Sequence, residues 1–139
     1  MPQTIRIAAA LLLNPQGQTL LVRKRGTTAF MQPGGKIEPH ELPAVALARE
    51  LFEELGLQVD PDEAIYLGQF SAPAANEPGF TVHAQLFQLH TQAAVSPAAE
   101  IEEVRWVDAA PDMDLALAPL TRDSILPLYR RLNPISAPR

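Results

Sequence analysis

Residues 33–57 read PGGKIEPHELPAVALARELFEELGL and combine a glycine-rich run with a helical pattern. The run Pro33-Gly34-Gly35 predicts a loop in which the backbone turns tightly and side chains are excluded. The apolar spacing that follows predicts a helix over residues 42–55, because Pro43 suits a first helical turn and Gly56 suits the position after a last turn. A glycine loop that runs directly into a helix is therefore the predicted local unit.

One face of this predicted helix is apolar. At about 100° per residue, four apolar side chains fall on one stripe and a fifth lies beside it. These residues are Ala44, Ala48, Leu51 and Leu55, with Leu47 beside them. Because apolar side chains at this spacing share one helix face, we expect the stripe to pack on the core.

Glu50, Glu53 and Glu54 lie together on another face of the helix, at spacings of three and four residues. Like charges at these spacings repel one another, and carboxylates near a helix C-terminus also interact unfavourably with the helix dipole. Arg49 is the only cation on the helix. A solvated acidic face is the alternative interpretation, but it leaves both costs without compensation. The cluster favours a divalent cation, and ligands that are all oxygen favour Mg²⁺ or Mn²⁺.

A known family carries the same pattern. Gly35, Glu41 and the run Arg49-Glu50-Leu51-Phe52-Glu53-Glu54-Leu55-Gly56-Leu57 match every specified position of the Nudix box. The chain therefore resembles a Nudix hydrolase, and Pro33-Gly34-Gly35-Lys36-Ile37-Glu38 is similar to the MutT-like branch. The resemblance implies an α/β fold, an α/β/α sandwich with a mixed sheet. It also implies a pyrophosphohydrolase that uses Mg²⁺ or Mn²⁺ and cleaves a nucleoside diphosphate linked to another moiety, in a nucleoside triphosphate or a nucleotide conjugate.

The resemblance further implies a role for each matching residue. The metal-ligand positions are those of Glu50, Glu53, Glu54 and the Gly35 carbonyl. Arg49 matches the arginine that orients the glutamates, and Glu41 matches the outlying acidic position; with Glu53 and Glu50 they form the expected catalytic set. Either Glu53 or Glu50 would deprotonate or orient the attacking water, and the sequence does not choose between them.

Further site residues are expected outside the box. Many family members add a metal ligand shortly before a strand that bears a tryptophan, and here Glu100 has the best spacing from Trp106, with Glu103 as second choice. Arg23, Lys24 and Arg25 end the second predicted strand and are expected near the phosphate site. Arg25 and then Arg23 are the expected phosphate contacts, because a guanidinium holds two oxygens at once. The loop residues Gly34 and Lys36 complete the predicted substrate-binding set.

The substrate is less well indicated. Phe30, Met31 and Phe80 are candidates for a base pocket, although core packing explains them equally well. MutT enzymes that remove oxidised guanine nucleotides carry an asparagine before the C-terminal helix, and the corresponding residues 115–120 contain no amide. Because such a group supplies much of the selectivity for a base, we expect no strong preference for 8-oxo-dGTP over dGTP. His83 is expected to be a structural or an exposed histidine.

The remaining elements are predicted from alternation and turn residues, within a single domain over residues 1–139. Strands are expected at residues 5–13, 19–24, 64–70, 80–89 and 104–107, a loop at 25–36, a helix at 124–132 and a frayed tail at 133–139. Strands and helices mixed in this order predict a sheet that is covered on both faces.

Composition excludes several classes of function. The net charge of −5 argues against a general partner of nucleic acid or anionic membranes. The absence of cysteine excludes thiol chemistry and is typical of a reducing cytoplasm. The alternatives are a catalytically silent Nudix sensor that binds a nucleotide, and an RNA pyrophosphohydrolase, which the charge disfavours. Related enzymes are often dimers, so a homodimer is expected.

Overall fold

A computed structural model describes residues 3–108 and 114–132. It contains seven strands and two α-helices, with a short 3₁₀ turn at Pro61–Glu63. The strands are β1 Gln3–Leu13, β2 Thr19–Lys24, β3 Phe30–Met31, β4 Gly34–Lys36, β5 Ile65–Pro73, β6 Phe80–His90 and β7 Ile101–Val107; the helices are α1 Pro43–Leu55 and α2 Leu126–Leu132. The expected mixed α/β sandwich is confirmed.

Strand β1 is the centre of the fold because its apolar residues serve two cores. Ala8, Ala10 and Leu12 belong to the core beneath α1, whereas Ala9 and Leu11 belong to the core on the α2 side. A continuous apolar run is the pattern of a strand that is buried on both faces. The sheet is therefore the middle layer of three.

The sheet is mixed, and its order places the glycine loop beside the helix. The main path is β3-β2-β1-β6-β5, while β4 pairs with β1 and β7 pairs with β2. The β1–β6 pair is parallel, and every other pair is antiparallel. Because β4 lies against β1 under α1, the residues of the glycine loop reach the helix face that bears the glutamates.

Helix α1 ends as its sequence predicts. Gly56 adopts a left-handed conformation at φ 69°, and its N–H donates to the carbonyls of Leu51 and Phe52. Two further carbonyls of the last turn are also bonded: Ser96 N–H donates to Leu55 at 2.9 Å and Ala98 N–H donates to Glu54 at 2.9 Å. These bonds hold the segment before β7 against the end of α1.

Several predicted boundaries are corrected. Residues 25–36 are not entirely a loop, since they contain the short strands β3 and β4, and β7 is longer than the predicted 104–107. The C-terminal helical segment starts earlier than residue 124, because a π-helical turn at Thr121–Ile125 leads into α2. The predicted tail at 133–139 lies outside the described residues. Among those residues, no helix combines the length and apolar character that a membrane crossing requires.

The two glycines of the loop are required by close packing. A Cβ on Gly34, whose φ is +145°, would lie 2.1 Å from the Ala8 carbonyl oxygen. A Cβ on Gly35 would lie 2.4 Å from the Glu50 carboxyl carbon. Gly34 therefore lets β4 approach β1, and Gly35 lets the loop approach the acidic side chain.

We expect Gly34→Ala to destabilise the protein by about 3 kcal/mol, because a backbone clash adds to an unfavourable φ. The melting temperature should fall by roughly 10 °C. Gly17→Ala is the matched control: Gly17 also has a positive φ, at +79°, but a Cβ there meets nothing within 4 Å. Urea unfolding of both variants is the measurement, and equal losses of stability would contradict the clash.

Candidate active site

A cavity formed by five carboxylates lies between the end of α1, strand β4 and the segments before β6 and β7. It holds about 970 Å³ of empty space that opens to solvent. The lining residues are Lys24, Gly35, Lys36, Glu50, Glu53, Glu54, Glu77, Ala99 and Glu100, and we call this set the carboxylate cavity. It brings together all the residues that the sequence predicted as metal ligands.

The three glutamates of α1 occupy very different environments. Glu54 is only 6% exposed, although it lines the same cavity as Glu50 and Glu53. The Glu50 side chain is 17% exposed, whereas that of Glu53 is 51% exposed. Exposure to solvent therefore increases from Glu54 through Glu50 to Glu53, and a uniformly solvated acidic face is excluded.

Glu54 is an acid of the cavity whose pKa is raised by burial. Its Oε1 accepts a hydrogen bond of 3.2 Å from the Gly34 N–H, the only hydrogen bond of its carboxylate among the described residues. Burial raises the pKa of Glu54 to about 7, and the nearby charge of Glu50 adds to the rise. A buried carboxylate with so little compensation would be stabilised by any cation that approached it.

Arg49 links the helix to the loop. Its guanidinium donates to both oxygens of Glu41, at 2.9 and 2.8 Å, and to Glu50 Oε1 at 3.0 Å. It also donates to the carbonyl of Lys36 at 3.1 Å. The bond from Arg49, with a second from the Glu38 N–H, lowers the pKa of Glu41 to about 2, and Glu41 in turn raises the pKa of Arg49. Arg49 thereby fixes where the Glu50 carboxylate stands.

The structure separates the two candidate acids that precede Trp106. Glu100 lines the carboxylate cavity, and its carbonyl accepts a bond of 2.7 Å from the Arg25 N–H. Glu103 does not line the cavity, because it pairs with Arg23 at 3.3 Å and with Arg105 at 3.0 Å. Of the two, only Glu100 is placed beside the α1 glutamates.

The predicted basic residues are only partly brought to the site. Arg23 lies away from the cavity, with its guanidinium bonded to Glu103 and to the Thr27 carbonyl. Arg25 borders an open extension of the cavity and pairs with Glu102 at 3.4 Å. Lys24, which the sequence reasoning did not select, lines the cavity itself.

Strand alternation explains the position of Lys24. Leu20 and Val22 face the core under α1, so the side chain two residues further along β2 points to the same side of the sheet. The sequence carried this signal. Glu77, the fifth carboxylate, comes from the turn between β5 and β6, and no local pattern announced it.

The donor set fits a hard divalent cation. Five carboxylates and a glycine backbone approached by Glu50 offer only oxygen ligands, which suit Mg²⁺ or Mn²⁺. Within residues 3–108 and 114–132, no three acidic or imidazole side chains already converge closely enough to hold an ion. The side chains would have to draw together around one.

Beside this cavity lies a smaller, mostly apolar one. It contains about 410 Å³ of empty space and is lined by Ile7, Ala9, Met31, Gln32, Pro73, Ala75, Val82, Ala118, Leu120 and Thr121; we call it the apolar pocket. Of the three base-pocket candidates, only Met31 lines it. Phe30 is a core residue, and Phe80 is not in the pocket wall. His83 instead bonds Ser71 and Gln69 on the sheet surface.

The wall of the apolar pocket contains an amide from another part of the chain. Residues 115–120 supply none, as the sequence shows, but Gln32 lies in the same wall as Ala118 and Leu120. The expectation of no strong preference for 8-oxo-dGTP over dGTP stays a prediction. Sequence reasoning missed Gln32 because it lies in the loop before the box, far along the chain from residues 115–120.

Burial of Glu54 predicts a pH dependence of stability in the metal-free protein. With a folded pKa of about 7 against 4.5 unfolded, the folded state keeps the proton between these pH values while the unfolded state loses it. The stabilising contribution of protonated Glu54 is fully present below pH 4.5. As the pH rises to 7 it is lost, and the free energy of unfolding falls by on the order of 3 kcal/mol.

Comparison with Glu54→Gln isolates this effect, because glutamine keeps the shape and does not titrate. In EDTA, parent and variant should be about equally stable at pH 4, and the variant should gain on the parent up to pH 8. Denaturant unfolding at several pH values measures the difference. A difference that does not change with pH would contradict the raised pKa.

Comparison with known proteins adds independent findings. The model of the NUDIX domain family matches residues 3–127. A MutT protein from Methanosarcina mazei Go1 has a similar structure, with a TM-score of 0.77 and 25% identity over 96% of this chain and 97% of that one.

Two curated relatives match by sequence. An octanoyltransferase of Myxococcus xanthus is 38% identical over 114 residues, 76% of this chain and 30% of the relative. An RNA pyrophosphohydrolase of Marinomonas sp. (strain MWYL1) is 42% identical over 59 residues, 42% of this chain and 35% of the relative. The matches thus cover about a third of the length of these relatives.

Proposed function

The chain belongs to the Nudix family, in its MutT-like branch, and from this we propose that it is a metal-dependent pyrophosphohydrolase. Its substrate would be a nucleoside diphosphate linked to another moiety, such as a nucleoside triphosphate or a nucleotide conjugate. The observation that carries the proposal is the carboxylate cavity, where buried Glu54, partly buried Glu50, Glu100 and Gly35 line one space.

Seven of the nine residues that line the cavity have a task in this reaction. Glu50, Glu53, Glu54, Glu100 and the Gly35 backbone would hold Mg²⁺ or Mn²⁺. When bound, the cation neutralises phosphate charge and lowers the pKa of a coordinated water. Lys24 and Lys36 contribute positive charge at the rim, and Arg25 stands beside the opening, so these three would bind the phosphate oxygens.

Glu53 is the better candidate for the residue that orients or deprotonates the attacking water. Its side chain is 51% exposed and approaches Arg49 only to 3.6 Å, so its carboxylate remains accessible to water. Glu50 is held by a 3.0 Å bond from Arg49 and is packed on Gly35. A group that moves a proton must reach its partner directly or through one water, and Glu53 has the freedom to do so.

The experiment is a substrate panel. Nucleoside triphosphates, nucleotide sugars and dinucleoside polyphosphates are incubated with Mg²⁺ and, separately, with Mn²⁺, and the products are separated by ion-exchange chromatography. We expect a nucleoside monophosphate and its partner product from at least one class. If no compound is hydrolysed with either metal, the proposed enzymatic activity is overturned. A catalytically silent sensor that binds a nucleotide is then favoured.

The substrate class, the cellular location and the oligomeric state are proposed on separate grounds. The match to an RNA pyrophosphohydrolase covers 59 residues, and the net charge of −5 does not favour an RNA partner. We therefore propose a small-molecule nucleotide substrate, with no nucleic-acid or membrane partner. A cytoplasmic location and a homodimer are further proposals, supported by the absence of cysteine and by the family resemblance.

A further inference from the structure

Gln32 carries a buried polar group that the chemistry above does not use. The residue is 7% exposed, and its Nε2 has no hydrogen-bond partner among the described residues. Its Oε1 accepts a 2.8 Å bond from the Thr121 hydroxyl. An unsatisfied buried donor costs about 1–3 kcal/mol, so its retention calls for a physical reason.

The amide lies where two cavities meet. Gln32 is in the wall of the apolar pocket and also of a neighbouring space of about 660 Å³. That second space, which we call the connecting channel, is lined as well by Gly35, Lys36 and Glu54 of the carboxylate cavity. A ligand held at the glutamates can thus extend along the channel until its far end reaches Gln32.

The surroundings of the amide are typical of a binding site for a flat, largely apolar group. Ile7, Val82 and Leu120 supply hydrocarbon walls, and Gln32 in the same wall supplies an unpaired donor. Ligand pockets commonly combine such walls with a few polar groups that set orientation. The free N–H group requires an acceptor from the ligand.

Thr121 pairs with the oxygen end of the amide, because its hydroxyl donates to Gln32 Oε1. It is 1% exposed and begins the π-helical turn that precedes α2. The preceding segment is tied to β3, since Phe30 N–H donates to the Ala116 carbonyl at 2.8 Å and Ala118 N–H donates to the Phe30 carbonyl at 2.9 Å. These bonds hold the Thr121 hydroxyl against Gln32 Oε1, so Nε2 is the group left for a ligand.

On the basis of the proposed function, we propose that Gln32 determines base specificity: its Nε2 donates to a carbonyl oxygen of a nucleobase seated in the apolar pocket, and Thr121 is the positioning residue. A base with a carbonyl at this edge satisfies the amide. Adenine presents an amino group there instead, so two donors face each other and both stay unpaired.

Inosine and adenosine test this directly, because their bases differ at C6 by a carbonyl against an amino group. Neither carries phosphate, so metal-free protein suffices and hydrolysis plays no part. NMR titration of the parent should give a dissociation constant for inosine at least about tenfold lower than that for adenosine. Equal affinities, or no binding of either nucleoside, would overturn the proposal.

Variants of the two residues complete the test. Gln32→Met keeps the length and apolar packing but removes the donor, and it should bring the inosine and adenosine constants within about twofold. Thr121→Val should weaken the discrimination, and Thr121→Ser should restore it. Discrimination that survives Gln32→Met overturns the role of Gln32; discrimination that survives Thr121→Val overturns only the positioning role of Thr121.

Hydrolysis of ITP and ATP separates this inference from the proposed function. If both triphosphates are hydrolysed but the nucleosides bind equally, the hydrolase activity is supported and the role of Gln32 in base specificity is rejected. Discrimination between the nucleosides without turnover of any compound in the panel leaves the base pocket standing and rejects the hydrolase.

Discussion

Glu54→Gln should lower turnover by about a thousandfold or more, because a metal ligand that supplies several kcal/mol of transition-state stabilisation is lost. The structure gives this position particular weight. Glu54 is buried, has a raised pKa and is bonded to the glycine loop, so a bound cation would relieve an existing electrostatic cost. The variant should fold well, since the neutral amide keeps the shape.

The same change should reduce stabilisation by magnesium. A cation that binds only the folded state adds about 1.4 kcal/mol at ten times its dissociation constant, or a few degrees of melting temperature. Melting curves with and without Mg²⁺, beside a turnover assay, provide the measurement, and the rise should shrink in Glu54→Gln.

Glu103→Gln is the matched control, because it makes the same chemical change outside the cavity, where Glu103 pairs with Arg23 and Arg105. It should leave both turnover and the magnesium shift close to those of the parent. Full activity and a full magnesium shift in Glu54→Gln would remove Glu54 from the metal site. Loss of both in Glu103→Gln would reopen the choice between Glu100 and Glu103.

The second large effect is expected for Arg49→Met. The guanidinium holds Glu41 with two bonds and Glu50 with one, and without it Glu50 is free to leave its place on Gly35. Misplacement of a catalytic group by about 1 Å costs on the order of a hundredfold in rate. We expect kcat to fall by roughly that factor while KM changes little, since Arg49 acts through the glutamates.

Two further variants define this role. Arg49→Lys keeps the charge but cannot hold both Glu41 oxygens, so its kcat should lie between those of the parent and Arg49→Met. Arg105→Met removes an arginine that pairs with Glu103 outside the cavity, and its turnover should match the parent. If Arg49→Met raised KM while leaving kcat intact, Arg49 would be a substrate contact rather than a positioning residue.

The sequence predicted the fold well where the pattern is local. The apolar run of β1 predicts a buried strand, and Gly56 predicts the end of α1 through a left-handed cap. Both are observed. The gathering of Glu50, Glu53 and Glu54 at one cavity also follows from helical spacing. Helical spacing does not predict how deeply each glutamate is buried, because the burial of Glu54 depends on how closely β4 approaches α1.

Lys24 was expected near the phosphate site but was not chosen as a contact, although strand alternation alone favours it over Arg23. The parts of the site that the sequence did not predict depend on long-range contacts. Gln32 and Thr121 are separated by 89 positions, and only the packing of the C-terminal segment on β3 brings them together. Their residue types give no sign of this contact, because glutamine and threonine are usually exposed.

The two hydrogen bonds from Ser96 and Ala98 to the last turn of α1 have a consequence for the dynamics of the protein. They join segments more than 40 positions apart, so they form only after α1 and β7 have docked. Exchange of these two amide hydrogens with deuterated solvent therefore reports the separation of the Glu100 segment from the helix. If this separation precedes global unfolding, both amides should exchange faster than those in the middle of β1, and the cavity would lose Glu100 while the sheet remained intact.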